Sequence, residues 1–333
     1  MSTRPPFVSL LESFFRHRMV RQRNATAATI ASYRDSLRML VLFAADRARC
    51  EPCDLILDHL DRNTILAFLD HLEVTRGNKI QTRNARLAAV RSFFRHAAAS
   101  DPESLGIVHQ ILAIPIKKTH TEVTRHLTRK ELAALIAAPD QRTARGRRDR
   151  TLLLFLGRTG ARVSEALAVN VDDLRLDRSK PQVLLHGKGR RERVVPIAAD
   201  LADTLRTMIV EHGLEPGTPI FQGAHGERMT RFGATHVVRR AVAAAAPAQP
   251  GLAGKVVSPH VFRHTLAMTL LQSGVDLLTI QAWLGHSQVA TTHRYAAADI
   301  EMMRRGLDRA AISGKQPARF KAKDRVLQLL ESI

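Results

Sequence analysis

A tyrosine that closes a run of histidines and arginines sets the first chemical question. From Ser258 to Ala296 the chain reads SPHVFRHTLAMTLLQSGVDLLTIQAWLGHSQVATTHRYA, with His260, Arg263, His264, His286, His293, Arg294 and Tyr295. The whole chain has only 2 tyrosines. Two uses compete for such a stretch. In one, the phenol attacks a phosphodiester. In the other, a basic helical face holds a nucleic acid by its phosphates. Breaking a phosphodiester requires a nucleophile, an acceptor for its proton, cations on the phosphoryl oxygens and an acid for the departing oxygen.

The residues for a metal-free route are present. His260 and Arg263 are spaced to share one helical face, and Pro259 suits the first turn of that helix. Arg162 follows the Thr159-Gly160 break and opens another helix, a second place to present a guanidinium. Two arginines can fork onto the non-bridging oxygens of one phosphate, which lysine does less well. Lys188 stands between two glycines at the tip of a hairpin, where it can reach a leaving group. The metal route would show clustered carboxylates at suitable spacing. None appears, and Asp172-Asp173 reads as a helix-cap turn. No phosphate-cradling G-x-x-x-x-G-K-[ST] loop appears either. Taken singly, each residue has an ordinary use. An arginine more often positions a phosphate or sits in solvent, and a tyrosine packs its ring.

Composition narrows the partner. In 333 residues, 51 Lys+Arg stand against 31 Asp+Glu, a formal net charge of +20. That excess points to a polyanion, most simply nucleic-acid phosphates. A membrane partner is not expected: no apolar run reaches spanning length, and the N-terminal stretch has no secretory apolar region. A soluble, cytoplasmic protein is the expectation. Cys50 and Cys53, spaced C-x-x-C, read as two reduced thiols in a loop.

The elements that must position these residues are mostly helices. Apolar spacing predicts helices over 6–22, 26–46, 64–74 (capped by Asp61 or Asn63), 81–99 and 103–112, with no strand before 115. The polar segment 117–124 reads as a linker, and Thr128 with Glu131 forms a capping box for a helix over 129–137. A basic loop, QRTARGRRDR, then precedes a nearly all-apolar helix over 149–158, the expected centre of the second domain. Val183–Leu185 and Val194–Ile197 flank HGKGRRER as a β-hairpin. Helices follow over 199–212, 227–245, 261–273, 276–284, 287–293 and 298–310. The fold class is mainly α with a small antiparallel β-sheet. The expected division is 1–118, 125–310 and a basic tail, 311–333, that ends in a short apolar-faced helix.

The order and spacing of four motifs resemble the tyrosine recombinases, or phage-type integrases. TGARVSEAL (159–167), HGKGRRERVVP (186–196), HVFRHT (260–265) and LGHSQVATTHRY (284–295) follow one another as they do in that family. Ala161 and Phe262 stand where the family commonly has leucine, both apolar packing changes. The resemblance implies a helical, SAM-like core-binding domain followed by an α+β catalytic domain. It further implies a site-specific recombinase that works without cofactor, ATP or metal. Its implied site has Tyr295 as nucleophile, forming a 3′-phosphotyrosyl bond. Arg162 and Arg263 would clamp the phosphate, with Lys188 as general acid and His260 as base. His286 would bond the phosphate, and Glu165 would orient Arg162. The implied partners are double-stranded DNA bearing a recombination site and three further copies in a tetramer on synapsed DNA. The tail would dock on a neighbour. Two alternatives stay open on sequence: a type IB topoisomerase sharing the chemistry, and a non-enzymatic helix-turn-helix module.

Overall fold

The protein is described from a computed structural model, which covers residues 5–119, 126–187 and 191–285. Lys188, His286 and Tyr295, the helices expected over 287–293 and 298–310, and the tail 311–333 lie outside the described residues. The chain forms two compact units, Met1–Glu122 and Val123–Ile333.

Among its described residues the first unit has helices as its only regular secondary structure. Helix α1 (Phe7–Ser13) runs into a wider π-helical stretch, Phe14–Gln22, and is followed by α2 (Ala27–Ala48), α3 (Arg62–Val74), α4 (Ile80–Ser100) and α5 (Leu105–Leu112). Thr26 caps α2 by accepting the Thr29 N–H, and Asp61 caps α3 by accepting the Thr64 N–H at 2.7 Å. Of the two caps considered for α3, the structure uses Asp61. Helix α4 carries the core: Leu87, Val90, Phe93, Phe94 and Ala97 are buried. Phe93 meets Phe7 and Phe14 edge-on, at centroid distances of 5.8 and 5.7 Å. Cys50 packs at the edge of this core, while Cys53 is exposed.

The second unit is built around α7 (Ala144–Thr159). Its five residues Leu152–Leu156 are each no more than 3% exposed, as expected of a helix that is apolar on all sides. Around it pack α6 (Arg129–Ala137), α8 (Val163–Ala168), α9 (Ala199–Glu211), α10 (Arg231–Ala245) and α11 (Pro259–Gln272). Helix α12 (Leu277–Leu284) closes a smaller cluster with α11. The Thr128–Glu131 capping box forms, and the Glu131 carboxylate also accepts from Lys255 at 2.7 and 2.8 Å.

Three expectations need correction. The basic segment 141–150 is not a loop throughout. Helix α7 starts at Ala144, because the Thr143 hydroxyl caps it and carboxylates take up its arginines: Arg147 on Glu211 and Arg148 on Asp149. Helix α10 starts at Arg231 instead of 227, because Gln222 and Arg228 form an antiparallel bridge and Thr230 is the cap. The hairpin also gains a strand: β1 (Leu174–Arg175) pairs with β2 (Gln182–His186), which pairs with β3 (Glu192–Pro196), all antiparallel. In this register Val183 faces Val195 and Leu185 faces Arg193. Val183, Leu185 and Val195 are buried, so Arg193 stands on the inner, otherwise apolar face of the hairpin.

A candidate active site at the end of one helix

A helix leaves its last carbonyls without intrahelical partners, and the end carries partial negative charge. Helix α12 ends at Gly285, whose φ of +63° is the left-handed conformation that lets a glycine stop a helix. The three consecutive carbonyls at this end are taken by three arginines from three different elements. Arg193 on β3 donates through Nε to the Trp283 carbonyl at 2.9 Å. Arg263 on α11 donates through Nη2 to the Leu284 carbonyl at 2.5 Å. Arg162, at the start of α8, donates through Nη2 to the Gly285 carbonyl at 3.3 Å. A side chain at Gly285 would crowd Arg193: a Cβ there would lie 2.9 Å from Nη1 and 3.1 Å from Cδ of Arg193.

The second fixed point is Glu165. Only 2% exposed, it accepts from the Arg162 backbone N–H at 2.9 Å and from Arg162 Nη1 at 2.6 Å. Arg193 Nη2 donates to Oε2, the oxygen that also accepts from the Arg162 backbone, at 2.7 Å. Burial alone pushes the Glu165 pKa upward. The hydrogen bonds from Arg193 and from the Arg162 backbone, with the Arg193 charge, outweigh that effect and hold it below the usual glutamate range. Glu165 is therefore ionised, and it fixes one edge of Arg162 while 37% of the Arg162 side chain stays exposed.

Arg263 is 1% exposed, and its Nη1 donates to the Gly160 carbonyl at 2.8 Å. Gly160 ends α7 in the left-handed conformation, φ +62°, which turns the chain from the buried helix into Arg162. Trp283 adds a bond from its indole N–H to the Thr159 carbonyl at 3.2 Å. The start of α8, the middle of α11 and the end of α12 are thus stitched together through backbone carbonyls.

His260 lies one turn before Arg263, its ring edge-on to His264 at 4.5 Å between centroids. The residue is exposed. Partial loss of water around the ring lowers its pKa, and the positive charges of Arg263 and Arg162 lower it further. It is therefore neutral near pH 7 and able to accept a proton. Of the residues singled out in the sequence, the structure brings Arg162, Glu165, His260 and Arg263 together. Among the described residues no group of three or more His, Cys, Asp and Glu could hold a metal ion. No described helix is long and apolar enough to cross a membrane.

Residues 125–302 match the model of the phage integrase family, and residues 11–100 match that of the phage integrase N-terminal SAM-like domain. The chain belongs to the phage integrase family. It is 64% identical over 260 residues to the putative integrase/recombinase y4rD of Sinorhizobium fredii, covering 77% of this chain and 92% of that protein. It is 30% identical over 310 residues to the tyrosine recombinase XerC of Pelobacter propionicus, covering 91% and 95%. Its fold matches the crystal structure of the XerH site-specific recombinase bound to palindromic difH, with a TM-score of 0.68 and 23% identity over 86% of this chain and 81% of that one. The chain is a tyrosine recombinase, a DNA-binding enzyme that cleaves and rejoins DNA in site-specific recombination.

One residue of the recombinase's site was missed by reading the sequence. Arg193 is not among the residues singled out by the motifs. The signal lay in the strand alternation, which puts Arg193 in phase with the buried Val195 and with Leu185 across the hairpin. A charged residue in the inward phase of a strand requires a partner, and here it has Glu165 and a helix end.

Proposed function

We propose that this recombinase cleaves DNA through Tyr295. The phenol oxygen attacks the scissile phosphorus, the bond to the 5′ oxygen breaks, and a 3′-phosphotyrosyl linkage and a 5′-hydroxyl result. The phenol proton passes to His260, and Lys188 supplies a proton to the 5′ oxygen. Arg162 and Arg263 neutralise the non-bridging oxygens, His286 donates a hydrogen bond to the phosphate, and Glu165 orients Arg162. One phosphoester replaces another, so rejoining by the 5′-hydroxyl needs neither ATP nor metal.

The observation that carries this reading is the end of α12. Arg162 and Arg263 are held there by successive carbonyls before any phosphate arrives, beside an imidazole whose pKa is lowered by desolvation and then by the same two charges. Positive charge fixed in advance costs no reorganisation when charge builds on the phosphoryl oxygens. A tyrosine with an ordinary pKa of about 10 needs both a base and nearby cations near neutral pH.

On the same reading, residues 1–118 form the core-binding domain that clamps the duplex and 125–310 the catalytic domain. Four copies act on two synapsed sites, the tail 311–333 docks on a neighbouring copy, and the enzyme works on the nucleoid in the cytoplasm. The test uses a nicked suicide duplex carrying the recombination site. Tyr295→Phe abolishes the covalent protein–DNA adduct and leaves DNA affinity within about twofold, since one hydroxyl among many phosphate contacts is lost. An adduct formed by the Phe variant sinks the assignment of the nucleophile.

A further inference from the structure

We propose that Arg193 is a positioning residue for the leaving-group step, seating the β2–β3 hairpin on the Glu165 carboxylate and the end of α12 so that Lys188 reaches the 5′ oxygen. The proposal rests on the reading of Lys188 as the proton donor. Three observations carry it. Arg193 is the charged residue on the inner face of the hairpin, its side chain only 13% exposed. Its guanidinium spans from Glu165 Oε2, at 2.7 Å, to the Trp283 carbonyl, at 2.9 Å. It therefore joins the hairpin to the carboxylate that holds Arg162 and to the helix end that holds Arg263. Gly187, which directly precedes Lys188, sits on the same carboxylate. A Cβ there would lie 3.5 Å from Glu165 Oε1, 3.8 Å from Arg193 Nη1 and 3.0 Å from the Arg191 carbonyl. The Gly187 N–H donates to that Arg191 carbonyl at 2.7 Å, which ties the residue before Lys188 to β3's leading edge.

A hairpin needs no inward arginine for its own stability. An apolar side chain beside Val183, Leu185 and Val195 would avoid the cost of taking a guanidinium out of water. What Arg193 adds is register: two directional, charge-assisted bonds fix the hairpin to the two supports of the phosphate clamp. A proton donor and a phosphate clamp must be aligned within a fraction of an ångström for proton transfer to accompany bond cleavage.

The chemistry supplies a readout that a general loss of structure would not produce. When sulfur replaces the 5′ bridging oxygen at the scissile phosphate, the leaving group is a thiol of pKa about 8.5, which departs without help from an acid. Single-turnover adduct formation is measured on all-oxygen and bridging-sulfur suicide duplexes with full-length wild type, Lys188→Ala, Arg193→Met and Arg193→Lys. Arg193→Met lowers the all-oxygen rate on the order of tenfold to a hundredfold. The sulfur substrate brings it back to within about threefold of wild type, as it does for Lys188→Ala. Arg193→Lys keeps the charge beside Glu165 without the second prong and shows a smaller loss with the same recovery. It carries the test if the Met variant does not fold. An equal loss on both substrates for the Arg193 variants, with Lys188→Ala recovered, overturns the proposal. Failure of sulfur to recover Lys188→Ala overturns the reading of Lys188, and the route proposed for Arg193 falls with it.

Discussion

Each unit of the protein buries an arginine, and the two are buried for different ends. Arg83 on α4 is 3% exposed. Its Nε lies 3.3 Å from Glu73 on α3, and its Nη1 donates to the Pro115 carbonyl at 3.4 Å. Lys117 donates to the same Glu73 carboxylate at 2.9 and 3.0 Å, and Asn84 donates to the Lys117 carbonyl. These contacts staple α3, α4 and the segment after α5, and a carboxylate answers the charge. Arg263 is buried as deeply, yet the carbonyls of Gly160 and Leu284 hold it. Carbonyl dipoles at a helix end orient a guanidinium beside the place where a phosphate is proposed to bind. Burial of an arginine therefore does not report its role. What it is buried against does.

The sharpest test of that contrast replaces each arginine by lysine, which keeps the charge and loses the fork. Arg263→Lys is expected to slow adduct formation on the suicide duplex by roughly a hundredfold, the scale of losing one preorganised contact to a reacting centre. Arg83→Lys should leave that rate, at saturating DNA, within about twofold and act instead on the stability of the first unit. Comparable losses of rate from both would erase the distinction.

A middle-sized effect is expected in the pH profile of cleavage. A base works when unprotonated, so the rate rises with pH through the pKa of His260. Partial burial and then the charges of Arg263 and Arg162 lower that pKa, with His264 packed against the ring. The acid limb should lie below the ordinary imidazole value of about 6.5 and vanish in His260→Gln. A limb at or above that value would count against His260 as the base.

The smallest effect separates the two faces of the hairpin. On the outer face His186 bridges Asp173, at 2.8 Å, and Glu192, at 3.1 Å. The hydrogen bond to Asp173 leads the raising of its pKa; partial burial opposes it, and the Asp173 charge and Glu192 add to the rise. A raised pKa in the folded state gives stability that is complete below the unfolded value of about 6.5 and is lost as pH rises through the folded one. The melting-temperature gap between wild type and His186→Gln should therefore be widest below about pH 6.5 and shrink as the pH rises above it. A gap that is constant with pH would show that His186 acts by packing alone.

Much of the molecule was legible because its signals are local. Period-3.6 apolar spacing marks α2, α4 and the buried centre of α7. Thr128 and Glu131 mark a cap, and alternating valines and leucines mark the hairpin. The basic segment before α7 misled, because its arginines find their carboxylates on α9 and within α7 itself, which polarity alone does not reveal. Arg162, His260 and Arg263 stood out through the order of their motifs, and Glu165 through its place beside Arg162.

The sequence by itself determined the two-unit helical plan, the hairpin and the residue types needed to break a phosphodiester, since these depend on neighbours a few positions away. Only the tertiary structure decided how the site is held. The carbonyls of Trp283, Leu284 and Gly285 carry no side-chain identity, so nothing in their letters announces them as partners for Arg193, Arg263 and Arg162. A helix end becomes a cation-binding platform only when other elements bring arginines to it, and that meeting spans more than a hundred residues of chain.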